Sequence, residues 1–186
     1  AWCAHIPRRL ATPSPAVGAT VTVAGEPGYD GLQGVVVEHR NDAAAAGDAT
    51  RVVVELRRKI SVQLSNLLPD VGATVTLTGL APHLNGQFAA VVSTTPQNHM
   101  TAAAAAPRCT VRTTADSTTL RVGAANLIPA VGESTTLTGL VRRPSLNGKA
   151  VEVASHVAPK EGEPMRCVVS YVERQQFDPG KVEESV

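Results

Sequence analysis

The chain has 186 residues, 43% of them hydrophobic, so it can bury a core; aromatics make up only 3%, so that core must be built from Val, Leu, Ile and Ala. Seventeen basic residues against sixteen acidic ones give a formal net charge of +1, which excludes a protein held to nucleic acid by bulk charge, though not one with a local basic patch. No apolar run approaches the roughly 20 residues of a membrane-spanning helix, and three cysteines, an odd number, do not make a disulfide framework.

Residues 1–16, "AWCAHIPRRLATPSPA", carry Arg8 and Arg9 and no acid. They are expected to form an N-terminal arm. One reading is the remnant of an organelle-targeting segment, for the chloroplast before the mitochondrion; the other is an ordinary flexible arm.

From Val17 onward one phrase recurs. "VGATVTVAGE" begins at Val17, "VGATVTLTGL" at Val71 and "VGESTTLTGL" at Val131, spacings of 54 and 60 residues (17 to 71, 71 to 131). A fixed-period repeat signals stacked copies of one small structural unit. Within each phrase every second position faces one side: Val21 and Val23, Val75 and Leu77, Thr135 and Leu137. That period of two predicts a half-buried strand. Val23, Leu77 and Leu137 are expected at equivalent buried positions. A glycine follows each phrase (Gly25, Gly79, Gly139), and a short turn ends in Gly31 or in the Asn-Gly pairs at Gly86 and Gly148. A second strand leaves the turn, with Val36, Val91 and Val153 in one buried register.

Variable segments come next. Their alanine runs are read as loop, because four or five alanines are too few to nucleate a helix. The third strand starts at Arg51, Arg108 and Arg166. A fourth starts at Ile60 and at Thr119, and Arg57, Arg58 and Lys59 are assigned to the turn before it in the first repeat. "SNLLPD" and "ANLIPA" close the first two repeats as short helical turns, with Leu67 and Leu127 plugging the core. No such closure follows the third. "GKVEESV" is expected as its fourth strand, leaving the last unit open at one end.

These elements predict an all-β protein of three tandem small barrels, each of about five strands: residues 17–70, 71–130 and 131–186, the last without a closing segment. The order V-G-x-x-V-x-L-x-G-L, L-N-G, R-x-x-V, N-L-x-P resembles the tandem SH3-like barrel repeats of algal and other protist proteins. The resemblance covers residues 17 to about 182. The first repeat, "VGATVTVAGEPGYDGLQGVVVEH", also resembles a KOW element, with Gly31 or Gly34 near its centre. The SH3-like resemblance implies a fold; such barrels host peptide binding, RNA binding, methyl-lysine reading and structural roles. The aromatic groove of peptide-binding SH3 domains is not matched, because Tyr29, Phe88, Tyr171 and Phe177 are scattered. Small SH3-like subunits also sit on the stromal face of photosystem I, and no detailed motif here matches them.

Chemistry-bearing residues are dispersed. Cys109 and Cys167 stand at one position of successive repeats, where the first repeat has Val52, so they read as small buried hydrophobes, reduced and unpaired. His5, His39, His83, His99 and His156 form no HxH or HxxxH pair. No nucleophile elbow, Walker loop or dinucleotide fingerprint is present. No enzyme, metal or cofactor is expected. The expected role is a non-catalytic scaffold or accessory subunit that binds partner proteins in a larger, organellar assembly such as a photosystem. The alternative is a KOW-like, RNA-binding or ribosome-associated module. Arg57, Arg58, Lys59, Arg142 and Arg143 are the candidate contacts for phosphate, lipid headgroups or an acidic protein face. Phe177 is expected on an adhesive C-terminal face, covered by a neighbouring subunit or by Trp2, Ile6 and Leu10 of the arm.

Overall fold

The structure is a computed structural model, and it describes residues 14–41, 50–95, 107–159 and 163–185. The alanine runs and the arm residues Trp2, Ile6 and Leu10 lie outside those residues. The fold is all-β, in two sheets punctuated by single 3₁₀ turns. The first repeat contributes β1 (Thr20–Val23), β2 (Gln33–Asn41), β3 (Thr50–Gln63) and β4 (Leu67–Pro69). The second contributes β5 (Thr74–Leu77), β6 (Phe88–Thr95), β7 (Arg108–Thr113), β8 (Thr119–Gly123) and β9 (Leu127–Pro129). The third contributes β10 (Ser134–Leu137), β11 (Ala150–Val157), β12 (Arg166–Phe177) and β13 (Val182–Glu184).

The repeat is physical as well as textual. β1, β5 and β10 share one alternation of exposed and buried residues, which buries Val21 with Val23, Val75 with Leu77 and Thr135 with Leu137. Val36, Val91 and Val153 are buried at the register expected from the sequence. The Val-Gly turn before each first strand is held the same way. The amides of Gly18, Gly72 and Gly132 donate to the carbonyls of Val36, Val91 and Val153, each at 2.8 Å. These glycines have φ near +90° (+91, +92 and +89), a backbone state that any side chain would strain. Each second strand then carries a bulge immediately after that valine, which adds twist and bends the strand.

The second repeat closes on itself. Its five-stranded sheet has the order β8-β7-β6-β5-β9, with β9 returning antiparallel to β5. Between β7 and β8 the chain reverses over 114–118, with Ser117 at φ +59. The side chain of Asp116 organises the reversal by accepting from the Thr113 hydroxyl and from the Thr118 amide. Leu77, Val91, Cys109, Val111 and Leu127 fill the core.

The first and third repeats differ at that point. β3 runs without a turn for 14 residues and β12 for 12. Each strand therefore leaves one compact unit and enters another. The first unit holds the described residues up to Arg57 and those from Val172 onward; the second holds Arg58–Tyr171. In the first unit β13 pairs antiparallel with β1, Val182 opposite Val23. Its core is Val21, Val23, Val36, Val52, Val54 and Leu56 with Phe177 and Val182. In the second unit β4 pairs antiparallel with β10, Leu67 opposite Leu137. Val62, Leu64 and Leu67 join Leu137, Val153, Cys167 and Val169 in one core. The first repeat thus supplies the closing strand of the third, and the third supplies the closing strand of the first.

Several expectations change accordingly. Neither sheet closes into a barrel; the larger has the order β13-β1-β2-β3-β12-β11-β10-β4. Arg57, Arg58 and Lys59 stand inside β3, not in a turn. The third repeat does have a closing segment, a 3₁₀ turn at Pro179–Lys181 followed by β13, but it closes onto β1. Phe177 is core, not surface, at 3% exposure. The cause lies in the local chemistry. "ELRRKISVQ" and "SYVERQQF" contain no Gly, Asn or Pro to reverse the chain. In the first, Leu56, Ile60 and Val62 keep one period-two register on either side of Arg58, so the strand continues straight through.

Candidate functional site

The closing exchange assembles a groove in the second unit. It is lined by Arg58, Lys59, Ile60, Ser61 and Val62 from β3 and by Leu140, Arg142 and Arg143 from the loop after β10, and encloses about 470 Å³. Four cations from two distant stretches of sequence converge there, and the lining contains no acid. Among the described residues Lys59, Arg142 and Arg143 form no ion pair. Like charges gathered in a concave, partly apolar site raise the local concentration of anions.

The floor and walls follow from packing. Val62 is buried, while Ile60 and Leu140 are half-buried and pack on the core of this unit. Successive residues of a strand point to opposite faces. Five in a row lining one groove therefore means that the groove follows the edge of β3. On that stretch β3 has lost one neighbour: its pairing with β2 reaches only Leu56, opposite Gly34. The facing loop is held at its base by Asn147, which accepts from the Leu140 amide (2.8 Å) and donates to its carbonyl (3.2 Å). Asn85 and Leu80 make the same clamp in the second repeat (2.8 and 3.1 Å). There the loop is two residues shorter, five from Leu80 to Asn85 against seven from Leu140 to Asn147. The longer loop presents Val141, 91% exposed, beside the two arginines.

Arg57 stands apart from this groove. It lines a shallower hollow of about 300 Å³ in the first unit with Thr20, Gln33, Gly34, Val35, Glu55 and Val172. Glu55 is already paired there with Arg174 at 2.6 Å. A Cβ on Gly34 would lie 2.5 Å from Val54, so only glycine lets β2 and β3 approach here. Phe177 packs edge-on against Tyr29, ring centres 5.5 Å apart, and offers no surface.

The other chemistry-bearing groups have structural partners. Cys109 and Cys167 are buried and unpaired. Burial pushes the Cys109 thiol up to about 11 and raises that of Cys167 as well, so neither is a ready nucleophile. His39 Nε2 donates to the Pro15 carbonyl and His156 Nε2 to the Pro129 carbonyl, both at 2.8 Å, tying each second strand to the chain that enters its repeat. The hydrogen bond from the Thr113 hydroxyl, with those from Thr118, lowers the Asp116 carboxyl to about 2. Among the described residues no three His, Cys, Asp or Glu side chains gather as a metal set. No described helix is long and apolar enough to cross a membrane.

Of the residues singled out by sequence, the structure brings Arg58, Lys59, Arg142 and Arg143 together and leaves Arg57 and Phe177 elsewhere. Sequence reasoning missed the apolar floor of Ile60, Val62 and Leu140. The available signal was the lack of any turn residue across Arg57–Lys59, with Leu56, Ile60 and Val62 in one period-two register on either side. No protein-family profile, curated protein or solved structure matches the chain.

Proposed function

We propose that the chain is a non-catalytic binding subunit built from SH3-like repeats, and that it docks a partner protein at the basic groove. The fold reading draws support from the second repeat: strand order fourth, third, second, first, fifth, with a 3₁₀ turn before the fifth. That order resembles a single SH3-like unit. The observation that carries the docking reading is the convergence of Arg58, Lys59, Arg142 and Arg143 on one acid-free groove with an apolar floor. Net charge is only +1, so this concentration of cations is local. An organellar host, in the chloroplast before the mitochondrion and with a photosystem as one candidate, rests on composition alone.

The test is the size of the native protein in extracts of its source. Sedimentation well beyond its own 19.3 kDa mass, lost on Arg142→Glu with Arg143→Glu, is the expected result. A native protein that sediments at its own mass overturns the reading. The groove also favours a second reading, an RNA-binding module of KOW type, because four cations would contact phosphates. Binding of RNA that weakens steeply with salt would establish it.

A further inference from the structure

The geometry points to an acidic, extended polypeptide segment as the ligand of the groove, added along the edge of β3 at Arg58–Val62. The inference rests on the docking reading above and names the partner's chemistry. Three observations select it. First, the stretch of β3 beyond Leu56 has no β2 partner; the Ser61 carbonyl on it is held by a side chain, accepting from Arg166 at 3.0 Å, and a strand edge without a neighbour accepts another strand through backbone hydrogen bonds. Second, Ile60 and Val62 share one face of β3 with Arg58, and Lys59 lies on the other with Ser61, so an added strand would set its side chains alternately beside an apolar face and beside Lys59. A segment alternating apolar and carboxylate residues matches that pattern. Third, a second copy of this chain is a poor occupant, because two Arg58–Lys59 edges laid side by side would repel.

Nucleic acid and lipid fit less well. The groove has no aromatic ring on which a base could stack. Its apolar strip and the exposed Val141 have no role against a phosphate backbone. A cavity of about 470 Å³ accommodates a few side chains, within the usual range of roughly 300–1,000 Å³ for a ligand site.

The test titrates the whole chain with a peptide alternating Glu with Leu or Val, and separately with the same peptide carrying Ala at the apolar positions. Twelve-nucleotide single-stranded RNA and vesicles of anionic phospholipid are titrated in parallel. Binding is read by the amide resonances of residues 58–62 and 140–143. The acidic-apolar peptide is expected to shift them. Its affinity should fall about tenfold or more with Arg142→Glu and Arg143→Glu, ~1.4 kcal/mol or more. The double Lys variant should retain most of it, and raising salt should weaken it as charge screening shortens. Replacing Leu and Val by Ala in the peptide should also weaken it. If RNA or vesicles shift these resonances and the peptide does not, the ligand class is wrong and the groove remains a docking site. If no probe shifts them and the charge-reversed chain still assembles at native size, both readings fall.

Discussion

The second repeat and the pair formed by the first and third repeats use one strand-turn-strand plan, and their closure differs at one junction. In the second repeat the third strand turns back at 114–118 and closes its own core. In the other two the same junction is straight strand, and the closing segment goes to the other repeat. The difference is a few residues of turn chemistry. Asp116 and Ser117 make a reversal possible, with Ser117 in the left-handed region and Asp116 bonded across it. Arg57-Arg58-Lys59 and Val172-Glu173-Arg174 make it unfavourable. Each repeat still receives a closing residue at the same place: Leu127 opposite Leu77, Leu67 opposite Leu137, Val182 opposite Val23. The plan conserves the core and changes who supplies its last strand. A functional consequence follows, because only the straight path lays Arg58 and Lys59 beside the loop of the third repeat. At the equivalent place the second repeat has Thr118 and Thr119, and its short loop has no arginine.

Removing a core residue should show which segment closes which repeat, because three equivalent amides report on the three cores. Val36 donates to Ala19, Val91 to Ala73 and Val153 to Glu133, each at 3.0 Å. The largest effect is expected from Phe177→Ala, which leaves a cavity costing about 3–5 kcal/mol. Hydrogen exchange should speed up most at Val36, although Phe177 belongs to the third repeat in sequence. A greater loss at Val153 would mean that the third repeat closes on itself.

Next in size is the comparison of Leu67→Ala with Leu127→Ala, at about 2–5 kcal/mol each. Leu127→Ala should unprotect Val91, a residue of its own repeat. Leu67→Ala should unprotect Val153 and spare Val36. The same fall at Val36 as at Val153 would contradict the assignment of Leu67 to the third core.

The smallest effect belongs to the turn that separates the two designs. The Asp116 carboxyl is lowered to about 2 by its bonds to Thr113 and Thr118. An unfolded Asp titrates near ~3.9, so the stabilisation is complete above that pH and is lost as pH falls through about 2. Asp116→Asn should lower the stability of the second repeat at neutral pH, and the gap to wild type should close below about pH 2. A gap that persists unchanged in acid would show that the carboxylate charge is not what holds the turn.

Much of this was legible in the sequence. The period-two alternation placed Val23, Leu77 and Leu137 in the core, and the Val-Gly and Asn-Gly pairs marked turns, because both signals are local. Closure was not legible in the same way. Leu67 and Val182 look alike whichever first strand they pair with, since β1, β5 and β10 present the same alternation. Which partner wins depends on the path between them, and that path is set by the absence of a turn at 57–59 and 172–174. The basic groove inherited the same difficulty. Its cations were visible as two separate clusters, and only the path of β3 brings them together. Phe177 was misread for a related reason: an aromatic near a chain end looks exposed until its strand is known to reach another core.

The exchange of closing strands between the first and third repeats can be tested by cross-linking. Thr22 lies opposite Glu183, and Thr136 lies opposite Leu68. Were the third repeat to close on itself, Glu183 would face Thr136. Residues paired across antiparallel strands lie about 4.5–5.5 Å apart at Cα, within reach of a disulfide. In a Cys3→Ser background, dilute air oxidation of Thr22→Cys with Glu183→Cys should give an intramolecular disulfide in high yield, and Thr136→Cys with Glu183→Cys should remain reduced. The reverse result, a bond between positions 136 and 183 and none between 22 and 183, would show that each repeat closes on itself and that the basic groove does not form as described.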